Sequence, residues 1–329
     1  MSGDLVPAPA TAVAERPTPE GERALRDALG YIARADAAET RRAYAGDWRH
    51  FCGWCRQTGL APLPATPATI AAYLAAHAGL HALATLRRRL AAIARAHREA
   101  RHTFDSRDPA IRNALRGIAR EHARPARQAA ALTTAEIRSL VRTCGPDLAG
   151  LRDRALLLLG YAGALRRGEL VGVDVEHLRF HTGALEVLLP RSKADQEGEG
   201  QRISIGRGKA RETCPVRAIE DWLRAAGIRY GPVFRGVTRH GTVEPGRLST
   251  EAVRLILKRR AALAGIQGTV LEPVTPHGLR AGFVTQSYLA GARDEEIVEH
   301  TRHRHLGTMR RYVRRAKLGK GEATARLDL

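Results

Sequence analysis

At 329 residues the chain is long for one domain and suits two, each large enough to bury a core of its own. Apolar residues make up 44% of it, as in ordinary globular proteins, and no run approaches the roughly 18 apolar residues that a membrane span requires. The charge is the informative departure: 54 Lys+Arg against 34 Asp+Glu leave +20, well beyond the magnitude of about 2 to 8 that solubility alone favours, so a polyanionic partner is implied.

Nucleic acid is preferred to a membrane surface, because the positive charge is spread over several segments and no basic segment carries a broad apolar face with interfacial Trp. Arg dominates Lys, which suits fork-shaped phosphate contacts. Cys52, Cys55, Cys144 and Cys214 are too few and too scattered for a disulfide framework, and a cytoplasmic, nucleoid-associated location is expected. Residues 1–35, opening MSGDLVPAPATAVAERPTPEGE, lack the apolar core of an export signal and read as a flexible leader in which order begins weakly near Glu22 to Arg34.

A first firm helix starts at Thr40, where Tyr44, Trp48, Phe51, Cys52 and Cys55 recur on one face. Thr66-Pro67, an N-cap followed by Pro at the first helical position, opens a second through Tyr73 and Leu74. Leu83, Leu86, Leu90 and Ile93 stripe a third, whose other faces carry Arg87, Arg88, Arg89, Arg95 and Arg98 as candidate DNA contacts. Asp108-Pro109 caps a fourth with Ile111, Leu115 and Ile118 inward. Residues 36–122 therefore read as a helical domain, and 123–131, with Arg124 and Arg127 as further DNA contacts, as a basic linker.

A second domain is expected over 132–316. It opens on a Thr133/Glu136 capping box, and Leu156 to Leu159 make the core of the next helix. The period then shortens: HLRF, ALEVLL and QRISI are β-prone segments separated by Thr182-Gly183 and by ADQEGEG, which predicts one small antiparallel sheet. Helices return at 213–226, 250–264, 276–290, 294–302 and 306–315, with Thr275-Pro276 and Asp294 as start signals. Residues 317–329 form a tail whose Leu327 and Leu329 suggest docking on a neighbouring protomer.

Four segments of this second domain, taken together, resemble the tyrosine recombinases, or phage integrase family. GALRRGELVGVDVEHL resembles the G-x-R-x-[SG]-E-L box, with Arg166 as the first catalytic arginine and Glu169 in support. TGALEVLLPRSKADQEGEGQRISI is similar to the family's β-hairpin, whose lysine is matched by Lys193. TPHGLRAGF resembles the H-x-x-R box and assigns His277 and Arg280; HTRHRHLGTMRRYVRR resembles the segment in which a His precedes the nucleophilic tyrosine by nine residues, matched by His303 and Tyr312. One departure is visible, since the glycine usual before that histidine is Arg302 here, removing glycine's freedom at positive φ.

The resemblance implies a mainly α, two-domain C-shaped clamp on double-stranded DNA: a helical SAM-like core-binding domain and a mixed α/β catalytic domain. It also implies a site-specific recombinase or integrase forming a 3′-phosphotyrosine, and a homotetramer on two DNA sites that exchanges strands through a Holliday junction to integrate, excise or resolve a mobile element or replicon. The residue types suit this chemistry. Two guanidiniums, Arg166 and Arg280, can clamp the nonbridging oxygens of a phosphodiester under attack. A phenol whose unperturbed pKa is near 10 needs help to lose its proton. By the resemblance Lys193 is the general acid for the 5′-oxygen, while His277 and His303 bind the phosphate or move protons. Because the phosphotyrosine conserves bond energy, no cofactor or metal is expected, and no phosphate-binding G-x-x-x-x-G-K-[ST] motif is present.

Two blander patterns are set aside. Cys52-Gly-Trp-Cys55 lies inside a periodic helix without a second Cys/His pair and reads as core packing; His300, His303 and His305 have no spacing that puts all three on one helical face as zinc ligands. The rival functions are a type IB topoisomerase-like enzyme and a catalytically inactive DNA-binding relative. Whether Tyr312 would cut in its own active site or a neighbour's is left open by sequence.

Overall fold

The computed structural model describes residues 17–34, 38–122, 124–125, 127–190, 200–303 and 306–318. Lys193, His305 and the tail beyond Leu318 lie outside the described residues, as do residues 1–16 of the expected leader. The chain divides into two units, Met1–Pro125 and Ala126–Leu329.

The first unit is helical: α1 (Pro19–Arg34), α2 (Ala38–Thr58), α3 (Pro67–Ala76), α4 (Leu83–Glu99) and α5 (Pro109–His122). Helix α1 covers the stretch Glu22 to Arg34 in which order is expected to begin and starts it three residues earlier; its Leu25, Leu29 and Tyr31 remain exposed. The other four helices enclose Phe51, Cys55, Ile70, Tyr73, Leu74, Leu86, Leu90, Ile93, Ile111 and Ile118. Thr66 caps α3 through Thr69 N at 3.1 Å, and Asp108 accepts from Ala110 N at 2.8 Å to start α5. Fully buried His97 closes the loop before α3: its Nδ1 lies 2.9 Å from Ile93 O, and its Nε2 accepts from Ala65 N at 2.9 Å.

The second unit begins with α6 (Thr134–Arg142), α7 (Leu148–Ala162) and the short α8 (Arg167–Gly172). The predicted capping box is present, with Thr133 Oγ1 accepting from Glu136 N and Glu136 accepting from Thr133 N. Helix α7 carries four successive buried leucines, Leu156 to Leu159, because it is packed on all sides at the centre of the main core. Strands β1 (Leu178–Phe180), β2 (Ala184–Leu189) and β3 (Gln201–Gly206) form an antiparallel sheet of order β1-β2-β3, in which Val187 faces Ile203 and Leu185 faces Ile205.

After α9 (Pro215–Ala225) comes a second sheet that sequence reasoning missed, β4 (Arg235–Val237) paired with β5 (Val243–Arg247). Its first strand is three residues long, too short for alternation to register. Helices α10 (Thr250–Leu263), α11 (His277–Leu289), α12 (Asp294–Thr301) and α13 (Leu306–Leu318) complete the unit. The start signals shift by one: Pro276, not Thr275, is the N-cap of α11, and Arg293, not Asp294, that of α12.

Two features tie this unit together. Asp153 on α7 is fully buried and accepts from Arg152, Arg259 and Arg260, so one carboxylate satisfies three guanidiniums. The stretch expected as a basic linker, 123–131, is hydrogen-bonded within this unit from residue 128 onward: Gln128 N donates to Leu271 O and Ala130 N to Pro273 O, followed by Leu132 N to Gly278 O. That close passage requires glycines on α11, since a Cβ at Gly278 would stand 2.3 Å from Ala130 O and one at Gly282 1.9 Å from Leu132 O.

Asp153→Ala would strand two buried guanidiniums, those of Arg152 and Arg260, without their carboxylate. The expected loss is about 3–5 kcal/mol, read as an earlier urea midpoint for the second unit by circular dichroism.

Candidate active site

Arg166 stands as N-cap of α8, where its backbone N–H donates to Glu169 Oε2 at 2.9 Å and its guanidinium to Oε1 at 2.6 Å. This reciprocal contact arises from the spacing of Arg166 and Glu169 across the first turn. The Glu169 side chain is only 4% exposed. Burial alone would raise its pKa, but Arg302, the Arg166 amide and the Arg166 guanidinium together hold it below the usual carboxylate value.

Arg280, one turn into α11 after His277, is 1% exposed. Its NH1 donates to Ala164 O at 2.7 Å, and its NH2 donates to Thr301 O. The same residue therefore joins the loop before Arg166 to the turn before His303. Burial and the Arg166 and Arg302 guanidiniums push its pKa down to about 9, which leaves it charged at neutral pH. His300 reinforces the junction by bonding Ala162 O through Nε2 at 2.7 Å while stacking on Phe283 at 4.6 Å.

Tyr312 lies on α13, which is seated by a small cluster of Val284, Ile297, Met309 and Val313 and by Arg310 pairing with Asp294 at 3.0 Å. Its hydroxyl is 2.6 Å from His277 Nε2, and its ring sits 6.0 Å from that of His277 and 6.1 Å from that of His303. Burial raises the Tyr312 pKa despite the opposing pull of Arg280, Arg311 and Arg166. Crowding by protein, then Arg280 and Arg166, lower that of His277, although its ring is open to solvent on one side.

His303 is pushed down to about 3 by burial and by Arg280, Arg166, His277 and Arg302, so it is neutral at physiological pH. Thr301 Oγ1 donates to Ile297 O and meets His303 Nδ1 at 2.6 Å, which makes Nδ1 the protonated nitrogen and leaves Nε2 as an acceptor. Five expected residues, Arg166, His277, Arg280, His303 and Tyr312, together with Glu169, thus meet in one place. Sequence reasoning missed Thr301, which offers its carbonyl to Arg280 and its hydroxyl oxygen to His303, His300, which bonds Ala162 O, and the inward course of Arg302. Among the described residues no group of three His, Cys, Asp or Glu could hold a metal ion, and no helix is long and apolar enough to cross a membrane.

The candidate DNA contacts divide. Arg87, Arg98, Arg124 and Arg127 are exposed. Arg88 is exposed but held by Asp47 through two hydrogen bonds, and Arg95 pairs with Glu99 at 2.6 Å and lies over Tyr44. Arg89 is a correction: at 7% exposure it belongs to the core beside Asp47, because position 89 shares the buried stripe of Leu86, Leu90 and Ile93.

Residues 130–318 match the Phage integrase family. Over 311 residues, 93% of this chain and 90% of the relative, the sequence is 34% identical to an integrase/recombinase xerD homolog of Selenomonas ruminantium. It is 32% identical over 194 residues to the tyrosine recombinase XerD of Xanthomonas axonopodis pv. citri, covering 56% of this chain and 57% of that one. Among solved structures, the XerH site-specific recombinase bound to palindromic difH substrate superposes with a TM-score of 0.58 at 15% identity, over 80% of this chain and 72% of the other. A lambda integrase dimer bound to a COC' core site gives 0.58 at 18% identity, over 88% and 94%. These structures share the fold, mainly helical with small antiparallel sheets. The chain belongs to the phage integrase family: it is a tyrosine recombinase, an enzyme of site-specific DNA recombination.

Proposed function

We propose that Tyr312 attacks the scissile phosphodiester within its own subunit, with His277 as the group that receives its proton. The observation that carries this reading is the 2.6 Å contact between Tyr312 Oη and His277 Nε2 in one chain, which supports cleavage in cis. A histidine kept neutral by crowding and by two guanidiniums is a competent acceptor at neutral pH. The proton passes from Oη to Nε2, the Oη–P bond forms, and the bond from phosphorus to the 5′-oxygen breaks. Lys193 supplies the proton to that oxygen, a role that rests on the family resemblance. The 3′-phosphotyrosine is reopened by a 5′-hydroxyl in the reverse sequence, so the backbone is rejoined without an energy source.

Arg166 and Arg280 clamp the nonbridging oxygens as charge develops there. Both are already held in place, Arg166 by Glu169 and Arg280 by two carbonyls, so little reorganisation accompanies the reaction. His303, neutral and with Nε2 free to accept, assists proton transfer. Arg87, Arg98, Arg124 and Arg127 contact phosphates outside the scissile one. A lambda integrase tetramer has been solved on a Holliday junction, and we extend that assembly to this chain: four copies on two sites, exchanging strands in two steps. The biological task is integration, excision or resolution of a mobile element or replicon.

Tyr312→Phe should abolish the covalent adduct on a nicked suicide duplex while leaving duplex affinity within about threefold, because only one hydroxyl is removed. Mass spectrometry of the wild-type adduct should place the nucleotide on the peptide containing Tyr312; an adduct elsewhere sinks the assignment. His277→Ala should slow single-turnover cleavage by roughly 10²–10⁴, the usual worth of a positioned acid or base. Cleavage by a mixture of Tyr312→Phe and His277→Ala subunits at wild-type rates would show instead that the tyrosine is supplied in trans. Removing Arg87 or Arg98 should flatten the dependence of log K on log salt by about 0.9 each. Arg89→Ala should leave that slope unchanged and lower the melting temperature instead.

A further inference from the structure

Residue 302 ends α12 in the left-handed conformation, φ 57° and ψ 48°, where glycine would be free of strain. An arginine there costs on the order of 1–2 kcal/mol of backbone energy, so its side chain has something to offset. That side chain is 4% exposed and runs inward. NH2 donates to Glu169 Oε2 at 3.2 Å, and NH1 donates to His300 O at 3.1 Å. Both terminal nitrogens also lie 3.5 Å from Gly163 O, and NH2 lies 3.5 Å from Ala164 O, the oxygen that Arg280 uses.

Glu169 is thus shared between two guanidiniums, Arg166 on Oε1 and Arg302 on Oε2. The Arg166 side chain is 29% exposed and that of Arg302 only 4%. Oε2 thus accepts twice, from the Arg166 N–H at 2.9 Å and from Arg302 at 3.2 Å, and Arg302 adds a second anchor, from another element, to the carboxylate that holds the fork of Arg166. Position 302 is also the residue next to His303, so one side chain links the turn carrying that histidine to the helix carrying the first arginine.

We infer that Arg302 is a positioning residue, which acts through Glu169 to hold Arg166 in its phosphate-clamping orientation and couples the His303 turn to α8. This rests on the reading of Arg166 as a phosphate clamp given above. The two separate experimentally, because a wrong assignment of the clamp shows as undiminished cleavage by Arg166→Lys, whatever Arg302 does.

The test uses the full-length protein, a suicide duplex carrying its recombination site and single-turnover cleavage. Arg302→Gly removes the guanidinium while relieving the backbone, and Arg302→Met keeps most of the side-chain volume without charge. Both should slow cleavage on the order of 10²-fold, the penalty for misplacing a reacting group by about 1 Å, with duplex affinity nearly unchanged. In an Arg166→Lys background, whose point charge cannot use the fork, the same two substitutions should cost less than about threefold, because the residue through which they act is already compromised. Arg302→Gly cleaving at the wild-type rate would overturn the inference, leaving position 302 as a turn and nothing more. Losses that carry over undiminished into the Arg166→Lys background would also overturn it, since a general loss of folded protein adds to the other defect rather than merging with it.

Discussion

The catalytic unit depends on one buried guanidinium. Arg280 donates to Ala164 O and to Thr301 O, two carbonyls separated by well over a hundred residues of chain, and is almost wholly withdrawn from water. Each of those carbonyls lies two residues from a side chain of the candidate site, Arg166 on one side and His303 on the other. A cation buried this deeply is tolerable only with its donors occupied, so the same contacts that satisfy Arg280 also assemble the site. His277, three residues earlier on the same helix, is thereby aligned with Tyr312.

The second constraint is an excess of positive charge. Among the described residues, Arg166, Arg280 and Arg302 converge on Glu169, and burial together with nearby guanidiniums lowers the pKa of both His277 and His303. A site in this condition carries uncompensated positive charge, which favours an anionic ligand. The folded state withholds protons that an unfolded chain would bind, so this arrangement contributes stability above about pH 6.5, the ordinary histidine value, that is lost as pH falls from there toward 3. The phenol, by contrast, is held protonated by burial until a neighbouring base acts on it.

Much of this was legible in the sequence because the signals are local. Thr66-Pro67 and the Thr133/Glu136 box each depend on residues a turn apart, and the structure shows them as read; of the stripe on α2 it buries Phe51 and Cys55 and packs Trp48 against them, and of that on α4 it buries Leu86, Leu90 and Ile93. The residues of the site were legible only by resemblance, since no periodicity brings position 166 to position 280. What escaped was whatever depends on a distant partner. Arg89 looked like a surface cation, although its offset of three from Leu86 already placed it on the buried stripe; Asp47, on another helix, pairs with it at 3.7 Å. Arg302 read as a defect in a glycine turn, because the contacts that offset its strain come from Glu169 and Gly163.

The passage of residues 130–132 across Gly278 and Gly282 has a mechanical consequence. A side chain caught between two elements can change rotamer and absorb a shift, but a main-chain carbonyl resting on a bare helix has no such slack. A displacement of that stretch therefore bears directly on α11, and with it on His277 and Arg280, which the helix carries one turn apart.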